Sequence, residues 1–104
     1  MRAALFALLL VSGAVLAHDL DGDPANSAWL RTQVNPTDGG SCCSETDCFE
    51  TTWRSVGGQI QGALQDGTWV DLPASAKLKT NHYSGLLLCY AYGRVLCWAE
   101  GSGT

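Results

Sequence analysis

Five cysteines constrain this chain more than any other feature: Cys42, Cys43, Cys48, Cys89 and Cys97. All of them follow an apolar leader. The chain opens MRAALFALLLVSGAVLA, with Arg2 as a short positive region, Ala3 to Val11 as an apolar run and Val15-Leu16-Ala17 as a small-residue cleavage site. This pattern predicts a signal peptide over 1–17 and a single mature domain over 18–104. The apolar run is shorter than the ~20 residues that span a bilayer. No cysteine follows the cleavage site, so a lipid anchor is not expected. Export to the periplasm or outside the cell puts the cysteines where thiols oxidise, and they read first as disulfides. Five is odd, so one sulfur stays free or joins a second chain into a dimer.

A mature chain this short supports one core and gains from covalent cross-links. Without Arg2 it carries five Lys+Arg against ten Asp+Glu, a formal net charge of −5. Such a surface repels phosphate backbones and anionic lipid, so neither nucleic acid nor membrane is an expected partner after cleavage.

The strongest β signal is Leu86 to Glu100, LLLCYAYGRVLCWAE, two apolar runs broken at Gly93. A turn centred on Gly93 sets Cys89 opposite Cys97, Leu88 opposite Trp98, Tyr90 opposite Leu96 and Ala91 opposite Val95. Both faces are then apolar, which places the hairpin in the middle of the domain. A turn at Gly93-Arg94 is the competing register and separates the two cysteines. Upstream, Asp23-Pro24 starts a helix running to about Val34, with Trp29, Leu30 and Val34 inward, ended by Asn35-Pro36. Cys42 to Cys48 is expected to form a tight turn or a single helical turn. Gly57-Gly58 and Asp66-Gly67 are hairpin turns that predict a meander over 49–56, 59–65 and 68–72. In it Trp53 faces Gly62, covering the glycine, and Leu64 faces Trp69. Residues 74–85 cross irregularly, and 101–104 form a frayed tail. The expected fold is mainly β, small α+β: a five-stranded antiparallel barrel or sandwich with a short N-terminal helix, stabilised by disulfides.

Several stretches together resemble a family of small exported bacterial proteins. They are Trp29-Leu30, the CC-x(3)-DC segment of Cys42, Cys43, Asp47 and Cys48, Gly67 to Pro73 (GTWVDLP), Cys89, and Arg94 to Trp98 (RVLCW). The resemblance covers most of the mature chain. It implies export and a cysteine framework, and assigns no catalytic residue.

Two disulfide layouts compete. One joins Cys89 to Cys97 across the hairpin; the other ties the 42/43/48 cluster to Cys89 or Cys97. Three functional readings follow. The first is a non-catalytic periplasmic or secreted binding module with no cofactor. Its partner is an envelope or extracellular protein, or a glycan. Trp69 shares a strand face with Asp71 and serves as the binding indole if that face is open. Against this, Trp53, Trp69 and Trp98 together suit a core. The second reading is metal binding. His18, as a new N-terminus, and His82 suit copper; Cys42, Cys43 and Cys48 with His82 suit zinc, although the usual CxxC spacing is missing. Asp19, Asp21 and Asp23 lack the spacing of a calcium loop. The third is a small thiol enzyme using the odd cysteine beside a histidine.

Overall fold

The structure, a computed structural model, describes residues 17, 18, 20, 22–42 and 46–101. The leader up to residue 16, Asp19, Asp21, residues 43–45 and residues 102–104 lie outside the described residues, and with them all of the expected signal peptide but Ala17, the fifth cysteine and most of the tail.

Among the described residues seven strands form two sheets. They are β1 (Ala17–His18), β2 (Cys48–Thr51), β3 (Trp53–Val56), β4 (Gln59–Ala63), β5 (Trp69–Asp71), β6 (Leu86–Ala91) and β7 (Arg94–Ala99). One sheet has the order β1-β2-β6-β7, and the other the order β3-β4-β5. All pairings are antiparallel. The expected five-stranded barrel is therefore wrong: there are two open sheets, and no closed barrel forms among the described residues. The reason lies at Thr52. The stretch expected as one strand, 49–56, breaks there; its first half pairs with β6 and its second half with β4. Thr51 holds the crossover, its Oγ1 donating to the Ala63 carbonyl at 2.7 Å.

In the 86–100 hairpin residues 86–89 and 96–99 are buried on both faces, whereas the turn and Glu100 are exposed, and β6 lies between β2 and β7. Side chains alternate across a strand, so the two faces feed two cores. Phe49, Leu86, Leu88 and Trp98 pack toward the smaller sheet, with Leu72 and Ala76. Leu87, Cys89, Cys97 and Ala99 pack with Leu30, Cys42, Leu78 and Tyr83 on the other side. The result is three layers: a helix with its loop, a central sheet, and a small outer sheet.

Helix α1 (Pro24–Arg31) starts as expected. Asp23 caps it through Oδ1, which accepts from the Ala25 amide at 2.8 Å, and Pro24 holds the first position. It stops at Arg31, not Val34. Thr32 and Gln33 turn back in short-range bonds to Trp29 and Leu30, and Asn35 precedes Pro36, which disfavours helical backbone. Val34 then bridges Ser41 and is 49% exposed, so it does not pack inward. Leu30 is fully buried and Trp29 half-buried.

The hairpin register is mixed. Leu88 faces Trp98 and Cys89 faces Cys97, but Tyr90 faces Val95 and Ala91 faces Arg94. The turn is Tyr92-Gly93, with φ of 56° and 74°, and Leu96 is the extra residue of a bulge. In the meander Trp53 does face Gly62, whereas Trp69 faces Ala63, one residue off the expected Leu64. At the Asp66-Gly67 turn, hydrogen bonds from the Thr68 backbone and side chain hold the Asp66 carboxyl below its usual range. A 3-10 turn at Ala74–Ala76 leads to Lys77 and Leu78, and the Leu78 amide donates to the Trp98 carbonyl at 2.7 Å, covering the β7 edge.

Gly101, expected in a frayed tail, is packed against backbone. A Cβ there would lie 2.5 Å from the Ser84 carbonyl oxygen and 2.6 Å from the Gly85 carbonyl carbon. Gly101→Ala is expected to cost about 1–3 kcal/mol by overpacking, seen as a lower midpoint in thermal melts.

Candidate functional site

The four described cysteines lie in the helix-side layer. Cys48, Cys89 and Cys97 form one row across β2, β6 and β7. Cys48 bonds to Cys89 and Cys42 to Cys97. The Tyr90 amide donates to the Asp47 carbonyl at 2.9 Å. The next pair along, Cys48 and Cys89, is therefore a non-hydrogen-bonded pair, in which side chains come closest. Cys89 is thus taken from the β2 side, and Cys97 reaches Cys42 instead of its register partner. The layout that joins Cys89 to Cys97 is not the one formed.

These bonds occupy two sulfurs of the Cys42, Cys43, Cys48 cluster, so Cys42 and Cys48 offer no thiolates to zinc. Among the described residues no group of three or more His, Cys, Asp or Glu side chains could hold a metal ion. His82 stacks on Trp29, ring centroids 4.2 Å apart and 12° from parallel. His18 pairs with Glu50 through its strand; its imidazole lies outside what the structure describes.

The outer face of the small sheet carries a polar ladder. Arg54 Nε donates to Gln61 Oε1, and Gln61 Nε2 donates to Asp71 Oδ1, both at 2.8 Å. The Arg54 guanidinium lies 4.3 Å from the centre of the Trp69 ring. Trp69 and Asp71 are thus on one strand, but the indole is half-buried and has an arginine over it. Of the three tryptophans weighed for a core, Trp98 is buried, whereas Trp53 is 47% exposed.

Trp53 opens a groove of about 220 Å³ between the sheets. Trp53, Ile60, Leu86, Trp98, Glu100 and Gly101 line it. Each wall has a local cause. Trp53 lies opposite Gly62, and the space over that glycine is taken by Leu72 and Leu88. The Trp98 ring is anchored by Nε1 donating to the Pro73 carbonyl at 2.7 Å. Glu100 follows directly on β7 and is exposed. Its carboxylate meets Lys77 Nζ at 3.1 Å, and the same ammonium lies 5.4 Å from the centre of the Trp98 ring. Glu100 and Gly101 also line a wider neighbouring hollow, where Lys77 and Lys79 lie. An indole with a carboxylate beside it attracts a cation, and Lys77 already uses that pair. The pairing of Trp53 with Gly62 was legible from turn spacing; the contribution of Leu86, Trp98 and Glu100 was not, because it depends on how the two sheets meet.

Comparison of the chain with family models, with curated proteins and with solved structures finds no match. Among the described residues no helix is long and apolar enough to cross a membrane.

Proposed function

We propose that the chain is exported, that residues 18–104 form a non-catalytic binding module in the periplasm or outside the cell, and that the inter-sheet groove takes a basic side chain of an envelope or extracellular protein. The observation that carries this reading is Trp53. It is a large indole left half exposed at a groove whose other walls are Ile60, Leu86, Trp98 and Glu100. Large apolar groups left open beside a pocket are characteristic of binding surfaces. The contacts of Lys77 with Glu100 and Trp98 supply a precedent within the molecule for how an ammonium is held. Export is supported by the apolar leader and by two disulfides, which persist in oxidising compartments.

A simple probe tests the groove. Titration with Nα-acetyl-lysine methylamide, followed by NMR, is expected to move the Trp53 and Trp98 indole N–H signals and the Glu100 amide. Trp53→Ala and Glu100→Gln should each weaken the response about tenfold. Shifts scattered over the surface, or unchanged in both variants, overturn the reading. Export is checked by fractionating the expressing cell. A mature mass beginning at His18 outside the cytoplasm supports it; an uncut chain in the cytosol with reduced thiols overturns it.

A further inference from the structure

We infer that β3 receives an extended segment of the partner protein as an added strand, with a basic residue of that segment seated in the groove; this rests on the groove reading above. Among the described residues strand β3 has a single neighbour, β4, and all four of its residues are exposed. The Ala63 amide donates to the Thr52 carbonyl, which fixes the phase of the β3–β4 ladder. By alternation, Arg54 and Val56 bond inward to β4, and Trp53 and Ser55 aim their backbone N–H and C=O groups outward. An exposed strand edge of this kind templates another strand unless something blocks it.

The occupant is not a second copy of this chain. Two outward residues permit few two-fold registers. Centring on Arg54 sets the two Arg54 side chains face to face at the close spacing of a non-hydrogen-bonded pair, a like-charge clash. Centring on Ser55 sets Trp53 against Gly57, which is in the turn at φ 59°. Centring on Trp53 sets Ser55 against Thr51, which belongs to the other sheet.

The charges on the two faces specify the partner instead. An antiparallel strand places three successive residues opposite Ser55, Arg54 and Trp53. Opposite Arg54, on the outer face, an acidic residue is favoured. Opposite Trp53, on the groove face, a lysine or arginine meets the indole and Glu100. Opposite Ser55 a small apolar residue suffices. Read from N- to C-terminus, the complementary triplet is Val-Glu-Lys.

The probe is acetyl-Thr-Val-Glu-Lys-Thr-amide, with acetyl-Thr-Val-Lys-Glu-Thr-amide as the charge-swapped control. The first peptide is expected to slow amide exchange at Trp53 and Ser55 and leave Arg54, already bonded to β4, unchanged. The control should bind about tenfold more weakly. Ser55→Pro removes an outward donor from an edge strand, a position where proline is tolerated. It is expected to weaken the first peptide about tenfold or more and still respond to Nα-acetyl-lysine methylamide. Equal binding of the two peptides, protection of Arg54 in place of Ser55, or full binding by Ser55→Pro each overturns strand addition. In all three cases a retained lysine-amide response leaves the groove reading standing, whereas loss of that response in the wild-type protein removes both.

Discussion

Substituting Ala for both Cys42 and Cys97 is expected to lower the free energy of unfolding by about 3 kcal/mol in urea titrations. The size follows from the nesting of the two bonds. Cys42–Cys97 spans 55 residues and Cys48–Cys89 spans 41 within it. With the inner bond intact, the outer one closes an effective loop of only about 15 residues, worth about 3 kcal/mol of unfolded-chain entropy. The inner bond alone is worth about 4 kcal/mol, so full reduction removes about 7 kcal/mol together. A domain of this length is stable by roughly 5–10 kcal/mol. Reductant alone should therefore bring it to the edge of unfolding or beyond, read as loss of near-ultraviolet circular dichroism. A cooperative fold that persists with all thiols alkylated overturns the claim that the cross-links hold this domain together.

Asn35→Ala is expected to cost about 2–3 kcal/mol, the largest effect of any single polar side chain described above. Asn35 is 8% exposed. Its Nδ2 donates to the Leu96 carbonyl at 2.8 Å, and its Oδ1 accepts the Thr37 and Asp38 amides at 2.8 and 3.1 Å. Its own backbone closes a loop with Gly39 and Gly40. One side chain thus satisfies the carbonyl at the bulge and shapes the loop that carries Cys42 to Cys97. Asn35→Asp keeps the two acceptor bonds and sets a carboxylate against the Leu96 carbonyl. It should be at least as damaging. Urea midpoints for both variants, with amide exchange around Leu96 as the local readout, test this.

The parts of the fold legible in the sequence are those fixed by short-range rules. The cap at Asp23, the Gly57-Gly58 turn and the burial of 86–89 and 96–99 on both faces follow from local residue chemistry and strand periodicity. The hairpin turn was misplaced because tyrosine seldom adopts the left-handed backbone that Tyr92 takes here, so Gly93 looked like the centre. The bulge at Leu96 then restored the register at Cys89 and Cys97 by adding one residue, which no pattern of apolar positions announces. The barrel expectation failed at Thr52, because alternation continues through it although the ladder changes partner. Beside Pro36, Asn35 marks a helix stop and nothing more in the sequence, its long-range bond 61 residues away being invisible in the chain order. The groove was half legible: Trp53 and Gly62 came from turn spacing, Trp98 and Glu100 from tertiary packing alone.

The nested sulfur pattern also sets the order in which the molecule can mature. Synthesis delivers Cys42, Cys43 and Cys48 long before Cys89 and Cys97, yet both native bonds join an early sulfur to a late one. Any pairing made before Cys89 emerges is a wrong one. Bonds formed among the three early sulfurs have to be undone by thiol–disulfide exchange before the last hairpin can take up its native partners.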